Sequence, residues 1–332
     1  MALGATAIVL ALTLVLAGVS ASFGNEAGRT VDALHAAGWL VPEGASGPFM
    51  SSATLPASRA DEVSVVPGAG ASEPVSVLRG TLSQDPVAED VNLIGVRAGA
   101  FTTPDLIEGR APNIVGEATI DEGLDIDVGA TVQIGSRSLL VVGRTSGLSF
   151  RAGVPSVYIT LQEAQAIGYS GADLASAIVT EGVPSATPPG LVLLDGEAVK
   201  ADLLAPIANA RKTISLVLGL LFLVAALIIG SVVFLSALDR VQDFAVLKAI
   251  GSGSAALFAG VALQSLLLTL AAGLVGAALA QIIAPVLPMK AEIGASAYVL
   301  LAVVGVVVGM LASLAGIRRA ITVDPALAFG GA

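Results

Sequence analysis

The stretch LDRVQDFAVLKAIGSG, residues 238–253, lies between two long uncharged segments of the chain. At about 3.6 residues per turn, its pattern predicts a short amphipathic helix from Asp239 to Ile250. The polar face carries Asp239, Arg240 and Asp243. The apolar face carries Val241, Phe244, Ala245, Leu247 and Ile250. Lys248 suits the last turn, where a cation favours the helix dipole, and Gly251 suits the C-cap.

A short amphipathic helix between two apolar segments has two explanations. It can lie in the lipid interface, with its apolar face among the acyl chains. It can also dock that face into a groove on a cytoplasmic partner. The pattern alone does not distinguish lipid from protein as the surface that receives the helix.

The composition is that of an integral membrane protein. Of the 332 residues, 55% are hydrophobic and 13% are charged, whereas a soluble domain carries about 25% charged residues. The mean hydropathy is +0.88. Cysteine is absent, which fits exposure to an oxidising compartment but is weak evidence for it.

Four segments without any Asp, Glu, Lys, Arg or His are long enough to cross a bilayer, which takes about 20 apolar residues. These segments are 1–23, 213–238, 255–284 and 297–317. The first lacks the basic start of a cleavable signal peptide, so we expect a retained helix. The predicted fold is therefore an α-helical membrane protein with four transmembrane helices and a large β-rich α/β extracytoplasmic domain between helices 1 and 2.

The short connections predict the orientation and the remaining segments. Arg240, Lys248, Arg318 and Arg319 lie on one side and Lys290 on the other, and the positive side faces the cytoplasm. The other segments are then the extracytoplasmic domain with its helical stalks (24–212), the cytoplasmic helix and turn (239–254), the outer loop (285–296) and the cytoplasmic tail (318–332). Residues 26–212 hold 22 acidic and 11 basic residues, a balance that argues against nucleic acid as a partner.

Local patterns predict the elements of the outer domain. ATVQIGSRSLLVVG (130–143) predicts a hairpin around Gly135 and Ser136, with Val132, Ile134, Leu140 and Val142 as the alternating apolar residues. VNLIGV (91–96) and VPSVYIT (154–160) predict strands, and Thr160 with Glu163 predicts a capping box at a helix start. ADLLAPIANARKTI (201–214) predicts a stalk helix that runs into the second span. Leu203, Ile207, Ala210 and Ile214 fall on one face of this helix, and Pro206 suits its first turn.

Residues 236–258, SALDRVQDFAVLKAIGSGSAALF, resemble the loop between the second and third membrane helices of FtsX-like (MacB-type) ABC transporter permeases. The family pattern is an acidic or aromatic residue followed by Ala-Xaa-Leu-Lys-Ala-Ile-Gly, and DFAVLKAIG (243–251) matches it. Residues 106–147, 154–167 and 318–331 resemble the β-rich region, the following strand and helix, and the C-terminal tail of the same family. The resemblance is greatest to stand-alone permeases of actinobacterial and cyanobacterial type, which are encoded apart from their ATPase.

The resemblance implies a mechanism and partners. Two permeases pair, as a homodimer or a heterodimer, and two ABC ATPase subunits that hold ATP and Mg bind beneath them. A periplasmic adaptor or an envelope protein is a further expected partner. The helix begins at Asp239 and Arg240. The resemblance places the ATPase contacts at Asp243, Phe244, Leu247, Lys248, Ile250 and Gly251.

No enzyme chemistry is evident in the chain itself, and no cofactor is expected in it. The GxxxxGK[ST] phosphate loop does not occur, and the spans hold no ionisable residue for ion coupling. Trp39 and Phe49 are expected to pack near the outer membrane surface, where tryptophan is favoured, with a substrate entrance as the alternative. Gln264, Gln281 and Gly276 suit contacts between membrane helices.

Three functions fit these features. The first is the membrane subunit of an ATP-driven exporter in the cytoplasmic membrane, which extrudes a hydrophobic or amphipathic cargo. The second is a mechanotransmission subunit that regulates an envelope enzyme or sensor without moving cargo. The third is a membrane anchor that has no ATPase partner. The sequence does not identify a cargo.

Overall fold

The computed structural model describes residues 2–84, 87–239, 246, 250, 253–284, 293–295, 297–304, 306–307 and 310–311. These residues fall into two units. One, the β-rich unit, is Phe23–Ala208, and the other, the helical unit, lies within Met1–Ser22 and Asn209–Ala332.

Helices and strands segregate by composition, with long apolar helices at both ends of the chain and short strands between them. The helices are α1 Ala2–Asp32, α2 Arg59–Ser64, α3 Leu161–Gly168, α4 Gly196–Leu204, α5 Ala208–Asp239 and α6 Ser254–Ile283. Short 3₁₀ turns cover Glu122–Leu124 and Ala205–Ile207. The strands are β1 Gly38–Pro42, β2 Leu55–Pro56, β3 Ser72–Gln84, β4 Val87–Val96, β5 Glu108–Gly109, β6 Glu117–Asp121, β7 Thr131–Ile134, β8 Arg137–Thr145, β9 Ser149–Phe150, β10 Val154–Thr160, β11 Leu174–Ala175, β12 Ala177–Thr180 and β13 Leu191–Leu194.

An eleven-stranded mixed sheet organises the β-rich unit. Its strand order is β13-β1-β12-β3-β4-β10-β6-β8-β5, with β7 paired to β3 and β8, and β9 paired to β10. The central pair is the long antiparallel ladder of β3 and β4, which runs from Ser76 opposite Gly95 to Gln84 opposite Val87. β4 continues into a parallel pair with β10. The strands predicted at 91–96 and 154–160 are confirmed, as the end of β4 and as β10.

The two faces of the central sheet each cover a hydrophobic core, because side chains alternate along a strand. Ile94 and Val96 of β4 belong to the first core, together with Trp39, Phe49, Phe150 and the ends of α1 and α4. Val91 and Leu93 belong to the second core, together with β6, β7, β8 and α3. A strand covered on both faces reads as a continuous apolar run, as VNLIGV does.

The predicted hairpin is confirmed as β7 and β8, but its apolar face was assigned wrongly on the second strand. The turn places Val132 opposite Leu139 and Ile134 opposite Arg137. Since directly opposed residues share a face, Leu139 and not Leu140 joins Val132 in the second core. Leu140 is accordingly 43% exposed.

The helix predicted after Thr160 is confirmed as α3, whereas the capping box is half formed. Thr160 Oγ1 accepts a hydrogen bond from the Glu163 N–H at 3.3 Å. The Glu163 carboxylate does not return to Thr160, since it accepts from the Gly116 N–H at 2.9 Å and pairs with Arg137 at 2.5 Å. A buried carboxylate is held by the cation and the amide that reach it from neighbouring loops.

The stalk predicted as one α-helix across 201–214 is divided at Pro206. α4 starts earlier, at Gly196, where the Asp195 carboxylate accepts from the Ala198 N–H at 2.8 Å as an N-cap. A 3₁₀ turn at Ala205–Ile207 then separates α4 from α5. Proline has no N–H and cannot continue an α-helical hydrogen-bond ladder, so the chain stays helical but changes its pitch there.

Apolar helices form the helical unit. Among the described residues, two helical segments are long and apolar enough to cross a membrane, Gly4–Asp32 and Gly196–Ser236, with mean hydropathies of 2.2 and 3.0. α6 is a third long apolar helix of 30 residues. Gly276 of α6 packs against α1, because a Cβ there would lie 2.9 Å from the Ala7 carbonyl oxygen. Of the fourth predicted span, 297–317, the structure describes residues 297–304, 306–307 and 310–311, all of them helical.

The amides predicted to join the membrane helices do so. Gln264 Nε2 donates to Ser236 Oγ at 2.8 Å, and Gln281 Nε2 donates to Tyr298 Oη at 2.7 Å. Each bond joins a residue of α6 to a different neighbouring segment. The polar groups therefore serve helix association.

Candidate functional site

The predicted ATPase-contact segment is described at only a few of its residues. Asp239 ends α5 and is exposed. Ile250 is 74% exposed, and its N–H donates to the Val246 carbonyl at 3.1 Å, the spacing of a helical turn. The remaining predicted contacts lie outside the described residues: Arg240, Asp243, Phe244, Leu247, Lys248 and Gly251.

The four predicted stalk residues lie in three different elements. Leu203 belongs to α4 and is buried in the first core. Ile207 closes the 3₁₀ turn and is half-buried. Ala210 and Ile214 belong to α5, in the helical unit, where Ala210 is exposed and Ile214 is half-buried. Of the four, Leu203 is the residue that joins the stalk to a core.

The last turns of α1 pack against α4 inside the β-rich unit. A Cβ on Gly196 would lie 3.8 Å from Val31 Cγ1, and Lys200 Nζ lies 3.8 Å from an Asp32 carboxylate oxygen. Val31 and Leu203 belong to the same hydrophobic core. The two chain segments that enter and leave the β-rich unit therefore form one packed pair.

Polar contacts attach the end of α1 to the sheet. The Arg29 Nε–H donates to the Gly147 carbonyl at 3.0 Å, and the Thr30 hydroxyl donates to the Ser149 carbonyl at 3.2 Å. Both acceptors lie in or beside β9, which pairs with β10 in the central sheet. The end of α1 is thus hydrogen-bonded to the segment that carries β9.

Asp202 attaches α4 to the loop that follows β1. Its side chain is almost fully buried, at 4% exposure of the residue. One carboxylate oxygen accepts from the backbone N–H groups of Phe49 at 3.0 Å and Met50 at 3.1 Å. The other accepts from the Ser46 hydroxyl at 2.8 Å. A buried carboxylate with three donors is a strong anchor, since hydrogen bonds to a charged acceptor are the stronger ones.

Trp39 and Phe49 pack inside the first core of the β-rich unit. Trp39 is fully buried and Phe49 is 2% exposed, with ring centroids 5.7 Å apart. Phe150 meets the Phe49 ring edge-on at 5.3 Å. These rings belong to the same core as Val31 of α1 and Leu203 of α4.

A cavity of about 500 Å³ opens at the end of the first core, entirely within the β-rich unit. Its sheet side carries Arg79, Thr81, Asp90 and Asn92, which alternate toward one face of β3 and β4. Its other side includes Arg151, from the turn between β9 and β10, and the segment from Leu203 to Ile207. The cavity combines two arginines with an apolar wall.

Arg151 is held in a defined position at the cavity. Its Nη1 donates to Asn92 Oδ1 at 2.7 Å, and its Nη2 donates to the Phe49 carbonyl at 2.8 Å. The guanidinium carbon lies 5.1 Å from the Phe150 ring centroid. Burial, followed by the positive charge of Arg79, lowers the pKa of Arg151 to about 10, against the attraction of Asp202.

The sequence does not reveal this cavity. Arg79 and Arg151 are separated by 72 positions and belong to no recognisable motif. Only the pairing of β3, β4 and β10 brings them to one place. The left-handed backbone at Arg151, with φ of 58°, is equally invisible in the sequence.

Within the part of the chain that the structure describes, no group of His, Asp and Glu side chains is arranged to hold a metal ion. The features that the described residues do show are the packed α1–α4 pair and the cavity.

Comparison with known proteins identifies the family. A family model described as FtsX-like permease C-terminal matches residues 215–325. The chain is 38% identical over 330 residues to an ABC transporter permease of Mycobacterium tuberculosis H37Rv, covering 99% of this chain and 95% of that protein. A second ABC transporter permease of the same strain is 37% identical over 326 residues, covering 98% and 93%.

Two solved structures also match. The periplasmic region of MacB from Actinobacillus actinomycetemcomitans is similar at 13% identity and a TM-score of 0.37, covering 51% of this chain and 94% of that one. The extracellular domain of the ABC-type transporter YknZ from Gram-positive bacteria is similar at 15% identity and a TM-score of 0.34, covering 44% and 83%. The family expected from residues 243–251 is confirmed by the full-length mycobacterial relatives, and the chain belongs to the FtsX-like ABC transporter permeases.

Proposed function

We propose that this permease uses ATP hydrolysis by a separate ABC ATPase to move its β-rich unit and thereby extrude a hydrophobic or amphipathic cargo. Residues 239–251 form the ATPase contact on the cytoplasmic side. Four membrane helices carry the motion across the cytoplasmic membrane to the β-rich unit on the outside. Two permease copies assemble with two ATPase subunits, which hold the ATP and Mg.

The observation that supports this proposal best is the packed pair of α1 and α4. Both segments that connect the β-rich unit to the apolar helices share the first core, through residues such as Val31 and Leu203. Arg29 and Asp202 add hydrogen bonds to the sheet and to the loop after β1. A force on either helix is therefore resisted by the packed core, because protein interiors transmit strain and do not flow.

The sequence supports an external source of energy. The chain has no GxxxxGK[ST] phosphate loop, and its predicted spans contain no ionisable residue. The amphipathic sequence pattern of residues 239–250 is suited to docking on a partner. The energy for transport is then supplied at this segment.

The test replaces Phe244 on the predicted docking face with aspartate. The matched control is Gln242→Asp, which adds the same charge about 160° away around the same helix. The permease and its ATPase are co-purified and reconstituted, and ATP hydrolysis is measured with and without cargo candidates. We expect Phe244→Asp to abolish co-purification or cargo-stimulated hydrolysis, while Gln242→Asp retains both.

Two outcomes would change the assignment. Equal behaviour of Phe244→Asp and the wild type would remove residues 239–251 as the coupling site. Hydrolysis that responds to an envelope enzyme and to no hydrophobic cargo would instead make the chain a mechanotransmission subunit, the second function that the sequence allows.

A further inference from the structure

The cavity at the end of the first core carries a positive charge that the residues lining it do not neutralise. In the described part of the chain, neither Arg79 nor Arg151 is ion-paired with a carboxylate. Asp90 lines the same cavity, where its carboxylate accepts from the Thr81 hydroxyl at 3.2 Å. Two cations and one anion leave a net charge of +1 at a concave surface.

Other acidic groups near Arg151 are already engaged. Asp202 attracts Arg151 electrostatically. Both oxygens of Asp202 are occupied by the N–H groups of Phe49 and Met50 and by the Ser46 hydroxyl. Asp202 therefore offsets part of the positive charge from a distance but does not bond to the guanidinium.

The Arg151 guanidinium is preorganised and retains donor capacity. Asn92 is fully buried, and its amide nitrogen donates to the Val154 carbonyl at 2.8 Å, which directs its oxygen toward Arg151. The Arg151 Nε is buried and has no hydrogen-bond partner among the described residues. An arginine fixed by two bonds, each of which uses one of the two hydrogens on its Nη atom, loses little side-chain entropy when it binds an anion.

Arg79 lies on β3 and lines the same cavity as Arg151. It lies directly opposite Asn92 in the β3–β4 ladder and is exposed. Because Asn92 bonds to Arg151, the two guanidinium groups approach the cavity from adjacent positions. Like charges at such positions repel, and an anion between them relieves the repulsion.

The opposite wall of the cavity is apolar. Leu203, Pro206 and Ile207 come from the end of α4 and the 3₁₀ turn, and Val154 comes from β10. The proline removes a backbone donor from this wall. A cavity of a few hundred cubic ångströms with an apolar wall and convergent polar groups is the usual form of a small-molecule site.

We propose that this cavity binds an amphipathic organic monoanion, with its carboxylate or phosphodiester between Arg79 and Arg151 and its hydrocarbon part against Leu203, Pro206 and Ile207. One negative charge complements the net charge of the site. The apolar wall accounts for the hydrocarbon part. The cavity lies at α4 and its 3₁₀ turn, so an occupant contacts the same segment that connects the β-rich unit to α5. The site does not depend on the ATPase, and its ligand can be measured without one.

The test is calorimetric titration of the full-length protein in neutral phosphatidylcholine nanodiscs, with no ATPase and no nucleotide. The probes are octanoate for the carboxylate and methyl octyl phosphate for the phosphodiester. Octanol, octylammonium and acetate test the charge and the hydrocarbon part. We expect saturable binding of one or both amphipathic anions and none of the three controls at the same concentration. The anion that binds more tightly identifies the charged group.

Variants locate the site. Arg79→Gln and Arg151→Gln should each weaken binding by at least about tenfold, because each removes charge-assisted hydrogen bonds. Arg97→Gln is the matched control, since Arg97 pairs with Glu73 at 3.4 Å and does not line the cavity. Arg79 is exposed, so its variant tests the proposal even if the Arg151 variant unfolds.

The proposal is overturned if octanoate and methyl octyl phosphate bind no better than octanol. It is equally overturned if the folded Arg79→Gln protein binds both anions as tightly as the wild type and Arg97→Gln do.

Discussion

Replacing Asp202 by alanine should loosen the attachment of α4 to the β-rich unit. The substitution removes the acceptor for the backbone N–H groups of Phe49 and Met50 and for the Ser46 hydroxyl. A buried donor left without a partner costs about 1–3 kcal/mol, so the loss for the two backbone groups together is about 2–6 kcal/mol. For a unit of this size each kcal/mol lowers the melting temperature by about 2–4 °C. We therefore expect Asp202→Ala to melt about 4–24 °C below the wild type.

Trp39 provides the assay, because it is the single tryptophan of the chain and its ring packs on Phe49. Its fluorescence during thermal unfolding reports on the first core directly. Asp202→Asn is the matched control. The amide oxygen can accept from both backbone N–H groups, so this variant should lose only about 1 kcal/mol. The reasoning is wrong if Asp202→Ala melts with the wild type, or if Asp202→Asn melts as early as Asp202→Ala.

Three further predictions concern packing and charge. Gly95→Ala should destabilise the β-rich unit by about 1–3 kcal/mol, because the new Cβ would lie 2.3 Å from the Ala164 Cβ. The control is Gly24→Ala in α1, where a new Cβ has no atom within 4 Å and should not destabilise the unit. Equal melting temperatures of the two variants would refute this prediction. Gly276→Val should weaken the contact of α6 with α1, and hydrogen exchange should become faster in both helices. The control is Gly260→Val, where an added Cβ has no atom within 4 Å, and it should leave exchange unchanged. The pKa of Glu117 is lowered to about 2, first by its hydrogen bond with Arg110 and then, against burial, by the Asn113 and Ile114 N–H groups. Because its pKa is lower in the folded state, ionised Glu117 stabilises the fold above the unfolded pKa of about 4.3, and this stabilisation is lost as the pH falls toward 2. Glu117→Gln should therefore flatten the acid side of the curve of stability against pH. An unchanged acid side would contradict the pairing of Glu117 with Arg110.

The sequence predicts most reliably where the pattern is local. The hairpin of β7 and β8 follows from apolar alternation around Gly135 and Ser136, and the N-cap at Thr160 follows from one residue and its third neighbour. The error at Leu140 arises because a two-residue turn fixes which residues face each other, and alternation read separately on each strand does not. The stalk is divided at Pro206 because proline lacks the N–H that an α-helix needs. The sequence pattern does not show whether a proline starts a helix or interrupts one, because this depends on whether the residues before it are already helical, as α4 is here.

Long-range contacts account for what the sequence does not predict. The Glu163 carboxylate is taken by Gly116 and Arg137, which lie far away along the chain, so the local capping box is not completed. The cavity likewise needs β3, β4 and the turn before β10 to meet. By contrast, the local motif at residues 243–251 was enough to predict the family. The docking role of this segment is still a prediction, and most of its residues lie outside the described part of the chain.

Hydrogen exchange in the assembled complex tests the central claim most directly. The permease is reconstituted with its ATPase, and exchange at Phe23–Asp32 and at α4 is compared between the nucleotide-free state and a state trapped with ATP. We predict that trapping changes exchange in both segments and that Phe244→Asp removes the change. Identical exchange in the two states of the wild-type complex, with the ATPase bound, would contradict the transfer of motion from the ATPase to the β-rich unit.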